Sequence, residues 1–271
     1  MQSSPTAMET IKERMKGAWM AGDFGEIAKF SAAEAEAFVN RLPIQPGMRA
    51  LDVACGTGNL AIPAARRGAV VTGVDIASNL LERARARAGH EKIQIDFREG
   101  DAEQLAFPDA HFDLVLSMFG AMFAPRPDLV SSELIRVCRP DGLIAMANWT
   151  PEGFVGKTFA LTSRYVLPPE GIPAPVLWGN EDVVRQRFAK FDRHVETFRR
   201  AVKFQYPFDS KGVVDLFRRY FGPTQVAFSR LDEARQSALA NDMENLWAEH
   251  NQGTAHETVV TAEYLEVRVT S

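Results

Sequence analysis

Three aspartates, Asp52, Asp75 and Asp101, each stand at or just past the end of a short apolar or β-branched run, and the first is followed by Gly56-Thr57-Gly58-Asn59-Leu60-Ala61. Glycines in that position let a strand turn sharply into a helix and bring backbone N–H groups close to a ligand. The stretch satisfies the dinucleotide-binding spacing of glycine, any, glycine, any, any, glycine or alanine, and Asp75 lies about where a ribose-binding acid is expected. Asp52 weighs against a pyrophosphate, because a carboxylate at the strand end would be a near neighbour of any anion on the following helix N-terminus. A ligand carrying a cationic group and no phosphate suits it better. Asp75 can accept both hydroxyls of a ribose, and Asp101 with the backbone at Ala102 can meet the amino group and ring nitrogen of an adenine.

For these acids to share one site, their strands must run parallel and end at the same sheet edge. The sequence supplies such strands at 49–54, 70–75, 93–99, 112–117 and 143–149, separated by helical patterns, which is the signature of repeated β-α units. One helix is expected from Ser78 or Asn79, either of which can cap it, and another covers "DLVSSELIRVC" before "RPDG". Pro63 falls in about the first turn of the helix after the glycine stretch, where its missing N–H costs little. Upstream, residues 8–42 carry apolar positions at helical spacing, interrupted by Gly22 and Gly25, and read as two helices and a hinge. Downstream, "LPPEGIPAPVLWG" (167–179) reads as a proline-rich loop with no regular element. Helical patterns return at 181–191, 210–221 and 229–249, the last with a capping-box signature at Ser229 and Asp232. The extended segments 194–206 and 257–269 are expected to pair antiparallel at one sheet edge, with the intervening helices as a cap. The implied divisions are an N-terminal helical lid over 1–42, a core over 43–150, a substrate cap with an edge strand over 151–256 and a final core strand over 257–271.

S-Adenosylmethionine (SAM) has an ammonium, a carboxylate, a sulfonium and a ribosyl-adenine but no phosphate, so it meets the demands of the three acids together. The rest of the composition sets bounds on this reading. A chain of 271 residues with 46% hydrophobic content can bury a full core, and a formal net charge of −4 gives no general attraction to nucleic acid or anionic lipid. The run "RARARA" (Arg83, Arg85, Arg87) reads as a solvated helix face. Two cysteines and five scattered histidines supply neither a disulfide framework nor a metal-ligand set, so no metal is expected. The opening "MQSSPTAMETIKERMK" lacks the apolar stretch of a secretory signal, and no run is long enough for a membrane span; a cytoplasmic location is expected.

The segment from about 47 to 150 closely resembles the class I SAM-dependent methyltransferases. "LDVACGTG" resembles their motif I, "VTGVDIA" the ribose-binding motif, "EGDAEQLAF" the adenine-binding segment and "FDLVLSMFGAMF" the motif IV strand and turn, with "LIRVCRPDGLIAMANW" as the helix, turn and strand that follow. The likeness is greatest to the small-molecule branch that includes ubiquinone and menaquinone biosynthetic methyltransferases. It implies an α/β fold, a Rossmann-like doubly wound sheet of seven strands, mostly parallel with an antiparallel edge hairpin, plus N-terminal helices and a helical cap insertion. It further implies that Ala54, Gly56, Thr57 and Gly58 cradle the methionine end of SAM, which Asp52 contacts. Asp75 with Ile76 would hold the ribose, Asp101 and Ala102 the adenine, and Ser117 and Met118 would line the site near the sulfonium. Ala54 stands where this branch often has glycine.

The methyl acceptor is expected to be a small, apolar or aromatic molecule, attacked through oxygen, nitrogen or carbon, and enclosed by Trp19, Phe24, Phe119, Phe154 and Trp178. Trp19 and Phe24 suit an ordinary helix core equally well. Residues able to serve as a base outside the core are Tyr165, Tyr206, His194 and Glu152, none singled out by its pattern. Cys55 reads as a small buried residue and Asp113 as a structural hydrogen-bonding residue. Two other functions stay open at this level, a SAM-binding regulator without transferase activity and an NAD-dependent oxidoreductase. A monomer and a homodimer are both compatible with the sequence.

Overall fold

The computed structural model describes residues 6–271, so the first five residues of the expected lid and of the opening segment lie outside the described residues. In chain order the elements are α1 (Ala7–Met20), α2 (Phe24–Ala28), α3 (Ala32–Asn40), β1 (Arg49–Val53), α4 (Ala61–Arg66), β2 (Val70–Asp75), α5 (Ser78–His90), β3 (Asp96–Glu99) and β4 (Phe112–Met118). They continue with α6 (Pro127–Val137), β5 (Cys138–Trp149), α7 (Phe154–Tyr165), α8 (Glu181–Ala189), β6 (His194–Tyr206), α9 (Ser210–Tyr220), α10 (Gly222–Ser229), α11 (Glu233–Glu249) and β7 (Thr258–Thr270). The strands form one seven-stranded sheet in the order β3-β2-β1-β4-β5-β7-β6. The first five strands are parallel, and β7 runs antiparallel to both β5 and β6. This is the expected Rossmann-like sheet with its antiparallel edge hairpin.

Helices cover the central strands on both faces, so β1 and β4 are buried along nearly their whole length, with Leu51, Val53, Val115 and Leu116 fully enclosed. The strand order reverses between β1 and β4, and the crevice beyond their C-terminal ends is the place where such sheets bind ligands. The N-terminal segment departs from the expected two helices. It forms three, joined by a 3₁₀ turn at Lys29–Ser31, and Phe38 and Val39 of α3 are fully buried in the main core. Among the described residues no helix is long and apolar enough to cross a membrane.

Four local expectations give way to competing interactions. The helix expected from Ser229 starts at Glu233, because Ser229 is the last residue of α10, with its Oγ donating to the Val226 carbonyl (2.9 Å), and Asp232 caps α11 by accepting from the Arg235 N–H (2.8 Å). Neither Ser78 nor Asn79 caps α5: its N-cap is Ala77, whose carbonyl accepts from the Leu80 N–H (3.1 Å) and the Leu81 N–H (3.3 Å). The end of the proline-rich loop, Pro175–Gly179, is a 3₁₀ helix, since a proline at the first helical position needs no N–H partner. Of the arginine run, Arg83 and Arg85 are exposed as expected and only Arg87 turns inward, since residues two apart on a helix lie far around its circumference. Arg83 pairs with Asp23 (2.6 Å), Arg85 donates to the Phe97 carbonyl (2.7 Å), and Arg87 points at the glycine turn.

Candidate cofactor and acceptor site

The turn after β1 is built on positive φ angles, with Ala54 at 55°, Gly56 at 53° and Gly58 at 83°. For Ala54 that conformation is uncommon, and the approach of Gly120 holds it there: a Cβ on Gly120 would overlap the Ala54 carbonyl. From β2, Asp75 fixes the turn. Its Oδ2 accepts from the Gly56 N–H and its Oδ1 from the Ala77 N–H, both at 2.8 Å, and burial raises its pKa. From α5, Arg87 donates to the Thr57 carbonyl and to Asn59 Oδ1, each at 2.7 Å, and burial lowers its pKa.

Asp52 sits beneath this turn and not in the crevice. Its Oδ2 accepts from the Ala61 N–H (3.0 Å) at the start of α4, and burial, reinforced by the nearby charge of Asp75, pushes its pKa up to about 8. It therefore works as an internal cap. Asp52 therefore does not line the crevice from which it was expected to meet a ligand's methionine end, and the case against a pyrophosphate takes a new form, since the protein already occupies a helix N–H that a phosphate would use. Ser117 is also turned inward, donating to the Val53 carbonyl (2.8 Å) and accepting from the Ala121 N–H (3.0 Å). Gly58 packs against Ile62 and Phe97. By contrast, Ala54, Gly56, Thr57, Asp75, Ile76, Asp101, Ala102 and Met118 all line the crevice.

The open side of the crevice is covered by α1, from which Lys12, Met15 and Trp19 face it. Lys12 pairs with both Asp101 and the buried Glu103, and Glu103 in turn accepts from the Arg126 backbone (2.6 Å) and side chain (2.8 Å). At its other end α1 is seated on α10 by two glycines. A Cβ on Gly222 would overlap the Ala18 carbonyl, and one on Gly22 would overlap the Tyr220 carbonyl.

A second cavity of ≈ 310 Å³ lies under α7, α9, α10 and α11. It shares Trp19, Phe24, Ala28, Ser31, Phe119 and Phe123 with the first. Phe119 is held at φ 56° by stacking on Trp149, with ring centroids 3.5 Å apart, while its N–H donates to the Ala147 carbonyl (2.9 Å). Trp19 meets Phe24, Phe123 and Phe221 edge to face. Phe154 lines the second cavity only, against Trp247.

The family model described as "Methyltransferase domain" matches residues 51–146. An uncharacterized protein of Mycobacterium tuberculosis is 39% identical over 232 residues, 83% of each chain. The demethylmenaquinone methyltransferase of Deinococcus radiodurans is 39% identical over 129 residues, 45% of this chain and 53% of that one. The YcgJ protein from Bacillus subtilis has the same fold, with a TM-score of 0.62 at 16% identity over 88% of this chain and 97% of that one. The chain belongs to the class I SAM-dependent methyltransferases.

The residues present in this methyltransferase fit its family's cofactor. Gly56 faces the crevice with only the Phe24 ring near the position of a Cβ, at 3.8 Å, and each Asp75 oxygen keeps a lone pair beyond its one backbone bond. Other expectations sort by position. Trp178 lines neither cavity: it is buried under α8 with the Arg187 guanidinium stacked 4.3 Å from its ring, because the 3₁₀ turn directs it inward. Among the four candidate bases only Tyr206 faces a cavity; Tyr165 donates to Asp242 (2.7 Å), His194 is exposed at the start of β6, and Glu152 lines neither cavity. Cys55 is buried with a raised pKa, and Asp113 accepts from the Arg49 N–H (2.8 Å) and from Arg139. Lys12, Phe123, Phe159, Phe217 and Trp247 were not singled out in the sequence. The spacing of Phe217 on α9 and Phe221 just past its end marks one apolar helix face, but no local pattern tells a cavity wall from a core.

Proposed function

We propose that this methyltransferase moves the methyl group of SAM to a small, uncharged, apolar or aromatic acceptor bound in the second cavity. The observation that carries the reading is the junction of the two cavities at Phe119, Phe123 and Trp19, which gives an acceptor a direct approach to the cofactor crevice. When bound, the cofactor supplies an electrophilic methyl on a sulfonium. On this reading Asp75 and Ile76 hold its ribose, Asp101 and Ala102 its adenine, and the turn at Ala54, Gly56 and Thr57 its methionine end, with Met118 and Phe119 beside the junction.

The protein's main contribution is alignment and exclusion of water, which can supply roughly 7–11 kcal/mol. A general base, worth about 10²–10⁴-fold, has no candidate in the second cavity beyond Tyr206, whose burial raises its pKa and keeps it protonated. The absence of Asp, Glu, Lys, Arg and His from that lining supports an uncharged acceptor, because an unpaired charge there would lose its hydration.

The test has two parts. S-Adenosylhomocysteine at 100 times its Kd adds about 2.7 kcal/mol of stability and should raise Tm by roughly 5–10 °C, whereas NADH should leave it unchanged. Val155→Trp, which fills the second cavity from α7, should abolish turnover found in a screen of apolar and aromatic acceptors while S-adenosylhomocysteine binds as before. Unchanged turnover and acceptor KM in that variant would reject the cavity as the acceptor pocket.

A further inference from the structure

Helix α1 belongs to both cavities. Lys12, Met15 and Trp19 reach the cofactor crevice from it, and Trp19 lines the second cavity as well. Yet no residue of α1 is buried, so little apolar packing holds the helix down. Elements with few buried apolar contacts are those that open most readily in a fold.

Two points of attachment hold it in place. At the C-terminal end, the close approach of Gly22 to Tyr220 and of Gly222 to Ala18 joins α1 to α10, and the Asp23 N–H donates to the Tyr220 carbonyl (2.9 Å). Toward the N-terminus, two lysines one turn apart reach three acids at the opposite rim of the crevice. Lys12 pairs with Asp101 and Glu103, and Lys16 pairs with Glu99 of β3. Both lysines stay partly exposed, and ion pairs of that exposure hold weakly and are screened by salt. The first attachment is a fixed pivot, and the second is a latch.

A ligand in the crevice shifts this balance, because it meets Met15 and Trp19 only when α1 lies closed over it. The same closed helix presents Trp19 to the second cavity. We infer that α1 couples the two sites: bound cofactor holds α1 closed, the closed helix completes the acceptor cavity with Trp19, and an apolar acceptor binds more tightly after the cofactor than before it. The inference rests on the second cavity being the acceptor pocket. Lys12 and Lys16 are positioning residues in this scheme, and neither lines that cavity, so any effect they have on its ligand is transmitted through the helix.

The experiment uses the full chain, with naphthalene as the probe of the second cavity, titrated by calorimetry with and without saturating S-adenosylhomocysteine. S-Adenosylhomocysteine should tighten naphthalene at least about fivefold, and saturating naphthalene should tighten S-adenosylhomocysteine by the same factor. Lys12→Met and Lys16→Met should each weaken naphthalene about threefold in the cofactor-free protein, and saturating S-adenosylhomocysteine should restore it, since the ligand then holds the helix in place of the lysine. Amide hydrogen exchange over residues 7–20 should slow at least about tenfold on S-adenosylhomocysteine binding, while that of β4 stays unchanged. Equal naphthalene affinity with and without S-adenosylhomocysteine, in a protein whose probe binding Val155→Trp blocks, overturns the coupling and leaves the pocket standing. So does exchange over α1 that is equally slow in both states. Weakening by the lysine variants that persists at saturating S-adenosylhomocysteine marks a purely structural role and also overturns the latch. Failure of naphthalene to bind, or binding that Val155→Trp does not block, rejects the pocket itself. Should a lysine variant misfold, the coupling and the exchange measured on the unmodified protein decide.

Discussion

Asp75 is the residue at which cofactor recognition and local folding meet, and replacing it tests both. In the free protein its two oxygens hold the Gly56 and Ala77 N–H groups at 2.8 Å. Asp75→Ala strands both donors in a buried site, at about 1–3 kcal/mol each, so a stability loss of about 2–5 kcal/mol is expected. On the proposed ribose assignment, the same change also removes two charge-assisted bonds to the ribose hydroxyls. At about 1.5–3 kcal/mol apiece these correspond to roughly 10²–10⁴-fold in Kd for S-adenosylhomocysteine. Asp75→Asn separates the effects: it is isosteric and keeps one acceptor, but turns an NH₂ toward one of the two backbone donors. Its stability loss should be about half that of the alanine variant, with Kd still raised more than tenfold. Urea denaturation reports the first quantity and calorimetry the second. An alanine variant that binds S-adenosylhomocysteine within about threefold of the parent would refute the ribose assignment, and one that keeps its full stability would refute the account of the turn.

Asp52 predicts a pH dependence whose sign follows from its burial. Its pKa in the folded protein, about 8, lies above the ordinary carboxylate value, so the unfolded chain loses this proton first and stability falls as pH rises between about 4 and 8. Asp52→Asn removes the penalty: in urea denaturation it should exceed the parent by about 2–4 kcal/mol at pH 8, and the gap should close near pH 4. A constant gap across that range would mean that Asp52 does not titrate as described. The seating of α1 is tested by Gly222→Ala, whose Cβ would overlap the Ala18 carbonyl, against Gly17→Ala, which has no neighbour within 4 Å. The first should weaken S-adenosylhomocysteine about tenfold and cost about 1–3 kcal/mol, since Lys12, Met15 and Trp19 reach the crevice from that helix; the second should be neutral or stabilising by about 0.5–1 kcal/mol. Equal binding by both variants would show that the position of α1 does not matter to the cofactor.

The core was legible from the sequence because its signals are local. Strands β2 and β6 begin and end where the alternation of apolar runs and helical patterns puts them, at 70–75 and 194–206. The glycine turn and the acids after the first three strands occur at fixed offsets from those runs. The differences lie where several neighbouring groups can serve one helix end, or where packing decides which way a side chain turns. Ser229 ends α10 and Asp232 holds the Arg235 N–H, and α5 starts one residue earlier than a Ser78 cap requires, with Ala77 at its N-cap and the Leu80 and Leu81 N–H groups on the Ala77 carbonyl. Trp178 and Phe154 looked alike as aromatics near the sheet edge; one turned under α8 and the other into the cavity wall.

Sequence alone determined the layered α/β architecture and the order in which acids reach the sheet edge, because hydrophobic periodicity and turn chemistry are written within a few residues of one another. Tertiary structure decided that Asp52 lies beneath the turn, that Lys12 comes from another element to Asp101, and that Tyr206 on β6 and Trp247 on α11 meet in one wall. The last two join residues tens of positions apart. Their energies depend on burial and on which partner is taken first, and neither quantity exists until the chain has packed.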